Sequence, residues 1–175
     1  MRKNKPELYL AIFILTVVAA TTLLYFETTK NPYGIFPEKL GDMSVSLYRE
    51  GEAAMNEVKS LHGGVNFEIS NAYIADYRSA SGNKAKFWVS ESKDDEGAVS
   101  LLEAMNERVG NSGMFSNSTS RSVEGIKVYF VTGQPQVGLY HYFYASGKRV
   151  FWIQIDDPDA AYREGILKES IRTIT

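Results

Sequence analysis

An uncharged apolar run near the N-terminus constrains this chain more than any other feature of its sequence. The run extends from Leu8 to Phe26, and its only polar members are Thr and Tyr. As a helix that rises about 1.5 Å per residue it would be about 28 Å long, close to the roughly 30 Å hydrocarbon core of a bilayer. The sequence therefore predicts a membrane-spanning helix over residues 8–26.

The charges beside this run predict its direction in the membrane. Three basic residues and a single acid precede it, whereas Glu27 and Lys30 follow it. Positive charge concentrates on the cytoplasmic side of a membrane span. We therefore expect residues 1–7 in the cytoplasm, one span in the cell (inner or plasma) membrane, and the rest of the chain outside.

A cleaved signal peptide is the competing interpretation of the same run. Val18, Ala19 and Ala20 offer small residues for cleavage. However, the run continues through Leu23 to Phe26, whereas the apolar region of a signal peptide usually has about 7–15 residues. An uncleaved anchor is favoured. A lipid-anchored lipoprotein is excluded, because the sequence contains no Cys.

The remaining chain has the size and charge of one mildly acidic domain. Residues 27–41 carry two Pro and two Gly, which predicts a short stalk or a strap along the domain edge, and the domain is expected over 42–175. Without the N-terminal charges, the formal net charge falls from −2 to −4. This argues against nucleic acid as a partner. The absence of Cys also excludes disulfides, thiolate zinc sites and thiol catalysis.

Helical and strand periodicities alternate along the domain and predict an α+β fold. Ser92 and Asp95 have the spacing of a capping box, Gly110 is predicted to end that helix, and Asp157 is predicted to cap the last one. Hairpin-joined strands with interspersed helices indicate an antiparallel β-sheet packed by about three helices. Helices are predicted over residues 50–61, 94–109 and from 157 to the C-terminus, and strands over 67–79, 85–91, 126–132, 138–145 and 149–156, with 44–48 as a further candidate strand.

The late strand pair and the closing amphipathic helix resemble the PsbP-type αβα sandwich. The domain is also similar to the exported α+β domains of single-span membrane proteins of unknown function, in patterns such as Leu61-His62-Gly63, Ala72-Tyr73-Ile74-Ala75-Asp76-Tyr77 and Val150-Phe151-Trp152-Ile153. The resemblance covers residues 40–174. It implies a fold and an accessory role in a membrane complex, and it implies no catalytic residue.

The two histidines are the candidates for metal or haem ligation. His62 follows a predicted helix, and His141 lies in the middle of a predicted strand. Two imidazoles could bind a transition metal or ligate haem from both sides. No third ligand has a suitable spacing, so the favoured interpretation is that His62 ends a helix and His141 is a hydrogen-bonded sheet residue. No metal or cofactor is therefore expected.

The last predicted hairpin is aromatic on both faces, and this has two explanations. Tyr140, Tyr142 and Tyr144 share one face of its first strand. Helices could cover both faces of the sheet, which is the favoured interpretation. Alternatively, these tyrosines, with Trp152 and Trp88, form an exposed Tyr/Trp face that binds a protein, since both residue types are enriched at interfaces.

The sequence lacks the short motifs of common enzymes. It contains no G-x-S-x-G, no phosphate-binding Gly-Lys-Ser/Thr, no H-E-x-x-H and no dinucleotide fingerprint. The sequence predicts a non-enzymatic, membrane-anchored accessory module that contacts a membrane complex or an exported protein. The alternative is a domain that binds a small ligand, metal or haem through His62 or His141. An enzyme of unfamiliar type would need a pocket that gathers several titratable side chains.

Overall fold

The computed structural model of this chain describes residues 13–19, 31–61 and 68–174. The chain divides into two compact units, Met1–Gly34 and Ile35–Thr175, which are described separately. In the first unit, residues 13–19 form a helix, α1, and every one of them is exposed.

No helix in the described ranges is both long and apolar enough to cross a membrane. The predicted span over residues 8–26 lies only partly within those ranges, because residues 8–12 and 20–26 fall outside them. The membrane-spanning helix thus stays a prediction from the sequence.

The second unit is built on one antiparallel sheet of eight strands, in the order β1-β2-β3-β4-β8-β7-β6-β5. Three helices accompany the sheet in the described part of this unit, which confirms the predicted α+β class. The strands are β1 Lys39–Leu40, β2 Met43–Glu50, β3 Ile69–Ser79, β4 Lys84–Ser92, β5 Thr119–Val123, β6 Ile126–Thr132, β7 Tyr140–Ser146 and β8 Arg149–Asp156; the helices are α2 Glu52–Leu61, α3 Asp95–Asn111 and α4 Ala160–Ile174.

Helices cover both faces of the sheet. α3 packs on β7 and β8, and α2 packs on β3, so these two helices share one face. α4 covers the other face, where Arg163 Nε donates to the Tyr142 hydroxyl at 3.1 Å. Strand residues alternate between these two apolar layers, which explains why Tyr142 and Phe143 are both buried although their side chains point in opposite directions.

Residues 36–41 belong to the second unit and lie along its edge. Phe36 and Leu40 are fully buried, and the Tyr77 hydroxyl donates to the Pro37 carbonyl at 2.7 Å. β1 pairs with β2. These residues thus form a strap along the domain edge. The domain begins before residue 42, because the buried side chains of Phe36 and Leu40 belong to its core.

The helix caps differ from those predicted. Asp94, rather than Ser92, caps α3, since its carboxylate accepts from the Gly97 N–H at 2.9 Å. α3 also continues through Gly110 to Asn111, and the left-handed conformation that ends the segment is at Gly113, with φ 68°. α4 begins at Ala160, and the cap is Asp159, which accepts from the Ala161 N–H at 2.8 Å.

Replacement of Leu167 tests whether α4 is integral to this fold. Its side chain is fully buried between α4 and the sheet, so Leu167→Ala is expected to lower the free energy of unfolding by about 2–5 kcal/mol. Leu47→Ala is the matched control, because Leu47 is 39% exposed, and its cost should stay below about 1 kcal/mol. Urea denaturation followed by circular dichroism measures both. Equal costs would contradict the assigned packing of α4.

Candidate ligand-binding cleft

A cleft of about 1240 Å³ lies on the sheet face that α2 and α3 cover. Its described walls are the C-terminal end of α2, the C-terminal half of α3, and the loop that contains the short 3₁₀ helix Pro135–Val137. Its floor is formed by β4, β7 and β8. Between these walls the sheet is not covered by either helix. Side chains of β4, β7 and β8 therefore face the cleft.

Two tryptophans form the centre of the floor. Trp88 on β4 is directly opposite Trp152 on β8, and both are half-buried. The Trp152 ring stacks on Phe143 with a centroid separation of 5.0 Å, and Phe115 meets it edge-on at 5.6 Å. These are the only tryptophans in the sequence. The floor is therefore a broad aromatic surface held by rings beneath and beside it.

Glu57 of α2 fixes the position of Trp88. One of its oxygens, Oε1, accepts from Trp88 Nε1 and from Lys86 Nζ, each at 3.0 Å, and the other lies 2.7 Å from an Arg49 nitrogen. Burial raises the pKa of the Glu57 carboxyl, but the hydrogen bonds from Lys86 and Trp88 and the two positive charges outweigh it, so that the pKa is lowered overall. Glu57 is therefore the ionised link between α2 and the sheet.

His141 lies in the wall beneath the 133–139 loop with both ring nitrogens occupied. Trp152 Nε1 donates to His141 Nδ1 at 3.0 Å, and His141 Nε2 lies 3.0 Å from the Gly138 carbonyl. Because an indole only donates and a carbonyl only accepts, Nε2 carries the proton and the ring is neutral. Burial lowers the pKa of His141, and the backbone carbonyls of Gly138 and Val137 offset this only in part.

The hydrogen bonds of His141 disfavour metal or haem ligation by that residue. Each nitrogen that could bind a metal or haem iron is used within the protein. Among the described residues there is also no group of three or more His, Asp or Glu arranged to hold a metal ion. His141 is placed as a hydrogen-bonded sheet residue that orients Trp152. His62 lies outside the described residues.

The predicted Tyr/Trp face does not exist as one surface. Trp88 is opposite Trp152, and Trp152 is opposite Phe143. Both tryptophans therefore lie on the cleft side of the sheet, together with Phe143. Tyr140, Tyr142 and Tyr144 point to the α4 side, where Tyr142 and Tyr144 are 5% and 0% exposed. The helix-cover interpretation is therefore correct for the tyrosines, and the prediction that placed them with Trp88 and Trp152 was wrong because it lacked the strand register.

Two features of the cleft were missed in the sequence. Glu57 had no signal of its own, because its partners lie on strands that are distant in sequence. The loop did have one, since it is bounded by Gly133 and Gly138. A Cβ on Gly133 would lie 2.2 Å from the Gly138 carbonyl oxygen, and one on Gly138, where φ is 90°, would lie 2.3 Å from the Gln154 amide nitrogen. Gly138 therefore lets the loop pack directly onto β8, and Gly133 lets the two ends of the loop approach each other.

Comparisons with known proteins add little to this geometry. No family model matches the sequence, and no curated protein matches it. Among solved structures, the extracellular domain of PknH from Mycobacterium tuberculosis is similar, with a TM-score of 0.46 and 7% sequence identity. The similarity covers 76% of this chain and 82% of that chain. A likeness of this size assigns neither a family nor a function, and none of these comparisons supports the PsbP-type resemblance.

The neutral state of His141 predicts a pH dependence of stability. Its pKa is lowered on folding, so below about pH 6.5 the unfolded chain binds a proton that the folded chain does not. Stability is therefore present above that pH and is lost as the pH falls toward the pKa of the folded state. Between about pH 7.5 and pH 5.5 the wild-type chain should lose up to about 1 kcal/mol through this residue.

Thermal unfolding at several pH values checks this expectation in three proteins. His141→Gln should be less stable at neutral pH and should lose the pH dependence in this range. His62→Gln, which removes the only other histidine, is the matched control and should keep it. A wild-type profile that matches the His141→Gln profile would contradict the assignment of a neutral, depressed histidine.

Proposed function

We propose that this chain is a non-enzymatic binding module whose exported domain receives an amphiphilic small molecule in the cleft over Trp88 and Trp152. The cleft itself is the observation that carries the proposal. Its volume of about 1240 Å³ slightly exceeds the roughly 300–1,000 Å³ of ordinary ligand sites. Its lining combines apolar and aromatic side chains with polar side chains on α3 and on β8, and ordinary ligand sites likewise combine the two.

The polarity of the cleft changes along β8. Val150 and Trp152 are followed by Gln154 and Asp156 at alternate positions on the same face. The Gln154 side chain makes no hydrogen bond within the described part of the chain. An amide and a carboxylate thus lie at one end of an aromatic floor. This supports a ligand whose apolar body covers the tryptophans and whose polar end donates hydrogen bonds.

The rim of the cleft also favours an apolar ligand. Leu61, Met114 and Leu139 line it and are 61%, 46% and 42% exposed. Burial of such side chains against a ligand gains about 25 cal/mol for each Å² of apolar surface removed from water. Three large apolar side chains around one opening therefore favour occupation of the cleft.

The hydrogen bonds of His141 support a structural rather than a catalytic role for this residue; the other titratable residues that line the cleft are Glu107, Arg108 and Asp156. His141 is the titratable ring against the floor, and both of its nitrogens are engaged by Trp152 and Gly138. A general base needs a free nitrogen within hydrogen-bond reach of the substrate. The role of His141 is therefore to hold the floor in place.

The membrane anchor through residues 8–26 is part of the proposal. The charges around that run support a cytoplasmic N-terminus and an exported domain at the cell membrane. The described residues 13–19 are helical and all exposed, including Phe13 at 65% and Leu15 at 69%. Such side chains are favourable in contact with lipid.

A protein partner that inserts an apolar side chain into the cleft is the second candidate function. The exposed rim residues Leu61, Met114 and Leu139 favour it, because protein interfaces centre on buried apolar anchors. The accessory-module interpretation now depends on this rim, since α4 covers the tyrosine face.

Binding of a neutral apolar fluorophore, N-phenyl-1-naphthylamine, tests the small-molecule proposal. A fragment that begins at residue 31 avoids detergent and keeps every buried apolar residue of the described structure, the first of which is Phe36. Energy transfer from Trp88 and Trp152 to the probe should saturate. Met114→Asp and Leu139→Asp should each weaken binding about tenfold, because a charge is placed against the apolar ligand.

Val99→Asp is the matched control for these variants. Val99 is 48% exposed on α3 and does not line the cleft, so its substitution should leave binding of the probe unchanged. A wild-type fragment that shows no saturable transfer, or an equal loss in Val99→Asp, would contradict the small-molecule proposal. Loss of a copurifying protein in Met114→Asp, with the probe unbound by wild type, would favour the second candidate.

A further inference from the structure

A second, smaller pocket lies on the opposite side of the sheet, between β5 and the start of α4. Its volume is about 230 Å³, and it is lined by Thr119, Ser120, Arg121, Phe130, Tyr142, Ala160 and Arg163. No acidic residue is among these lining residues. The pocket is separate from the cleft, and its chemistry is independent of the proposed function.

Arg163 is the central residue of this pocket and is buried without a counter-ion. Its side chain projects from the first turns of α4, and the residue is only 7% exposed. None of the ion pairs within 4 Å in the described part of the chain involves it. A buried guanidinium is costly unless an opposite charge or hydrogen bonds compensate it. The positive charge of Arg163 is therefore free to pair with the negative charge of a ligand.

The protein fixes part of the Arg163 guanidinium and leaves the rest free. Nε donates to the Tyr142 hydroxyl at 3.1 Å, and Nη1 donates to the Asp157 carbonyl at 2.7 Å. The guanidinium carbon lies 3.6 Å from the centroid of the Tyr140 ring, which offsets some of the cost of burial. Nη2 has no hydrogen-bond acceptor among the described residues. The group is rigidly held, with one donor edge unused.

Further donors converge on the same space. The Tyr142 hydroxyl accepts from Arg163, so its own proton is left to donate. Thr119 lies on the same face of the sheet as Tyr142, since it pairs with Phe130 and Phe130 pairs with Tyr142. Its hydroxyl has no side-chain hydrogen bond within the described structure, whereas the side chain of Ser120, the next residue of the strand, points to the other face. Arg121 adds a second guanidinium at the rim, where Glu164 pairs with it. The pocket thus offers several donors and a single uncompensated positive charge.

We propose that this pocket binds a compact tetrahedral oxyanion of the phosphate class, held by Arg163, Tyr142 and the Thr119 hydroxyl. A phosphate presents several acceptor oxygens and uses donors from more than one direction, whereas a carboxylate has only two oxygens in one plane. Inorganic phosphate and the phosphate of a lipid headgroup share this chemistry. The anion supplies the charge that Arg163 lacks.

Titration calorimetry of the full-length protein in neutral detergent micelles tests this proposal, with inorganic phosphate as the probe and ionic strength held constant with chloride. The wild-type chain should bind phosphate saturably. Arg163→Gln should weaken binding at least tenfold, because it removes the charged donor. Thr119→Ala should weaken it several-fold. Thr119 is exposed on β5, so this variant provides a test if Arg163→Gln fails to fold.

Arg172→Gln is the matched control for the loss of one positive charge. Arg172 lies on the same helix, pairs with Glu124 and has a side chain that is 64% exposed, so its loss should leave phosphate binding unchanged. Competition by phosphatidic acid in the micelles would support the proposal and assign the phosphate to a lipid headgroup; no competition, with phosphate still bound, would assign it to the free anion. Absence of saturable binding, equal weakening in Arg172→Gln, or equally tight binding of acetate would overturn the proposal.

Discussion

The pairing of β4 with β8 is the interaction on which the rest of this structure depends. It joins strands β1–β4, from the first half of the domain, to β5–β8, from the second half. The two strands run antiparallel and are far apart in sequence, so no tight turn sets their register. Oppositely charged residues are paired at both ends of the contact, Lys84 with Asp156 and Glu91 with Arg149. Such cross-strand pairs disfavour a shifted register.

This one register places the chemistry on both faces of the sheet. It brings Trp88 opposite Trp152 and so creates the cleft floor, which Glu57 and His141 then hold from the two sides through hydrogen bonds to the indole nitrogens. On the other face it places Phe87 opposite Ile153, in the apolar layer that α4 covers. A shift of one of these strands by one residue would turn its tryptophan into that layer and separate the two indoles.

The two candidate sites differ in how the protein satisfies their polar groups. Around the cleft, the buried polar atoms of Trp88, Trp152 and His141 have partners within the chain, so the floor presents an aromatic surface. In the smaller pocket, Arg163 keeps an unused donor edge and has no carboxylate within 4 Å in the part of the chain that the structure describes. The first arrangement is suited to an apolar body, and the second to a compact anion. Both ligand preferences are inferred from which buried polar groups are hydrogen-bonded within the protein, and not from a sequence motif.

Much of the fold could be predicted from the sequence, because it depends on local periodicity. Strands 126–132 and 149–156 have the predicted bounds, and Leu167, Ile171 and Ile174 form the buried edge of the last helix. Helix ends were less accurate. Neighbouring acids such as Asp94 and Asp95 compete as caps, and Gly110 adopts helical geometry as readily as it ends a helix.

The sequence alone determined the α+β class, the aromatic content of the hairpin and the apolar run whose membrane role is still a prediction. Only the tertiary structure decided which aromatic residues share a face. Alternation along a strand divides its residues between the two faces of the sheet, but the pairing register decides which residues of neighbouring strands lie on the same face. It also decided that Glu57 contacts Trp88 and that Arg163 has no ion-pair partner among the described residues. Both results require distances between residues far apart in the chain, and local sequence patterns contain no such distances.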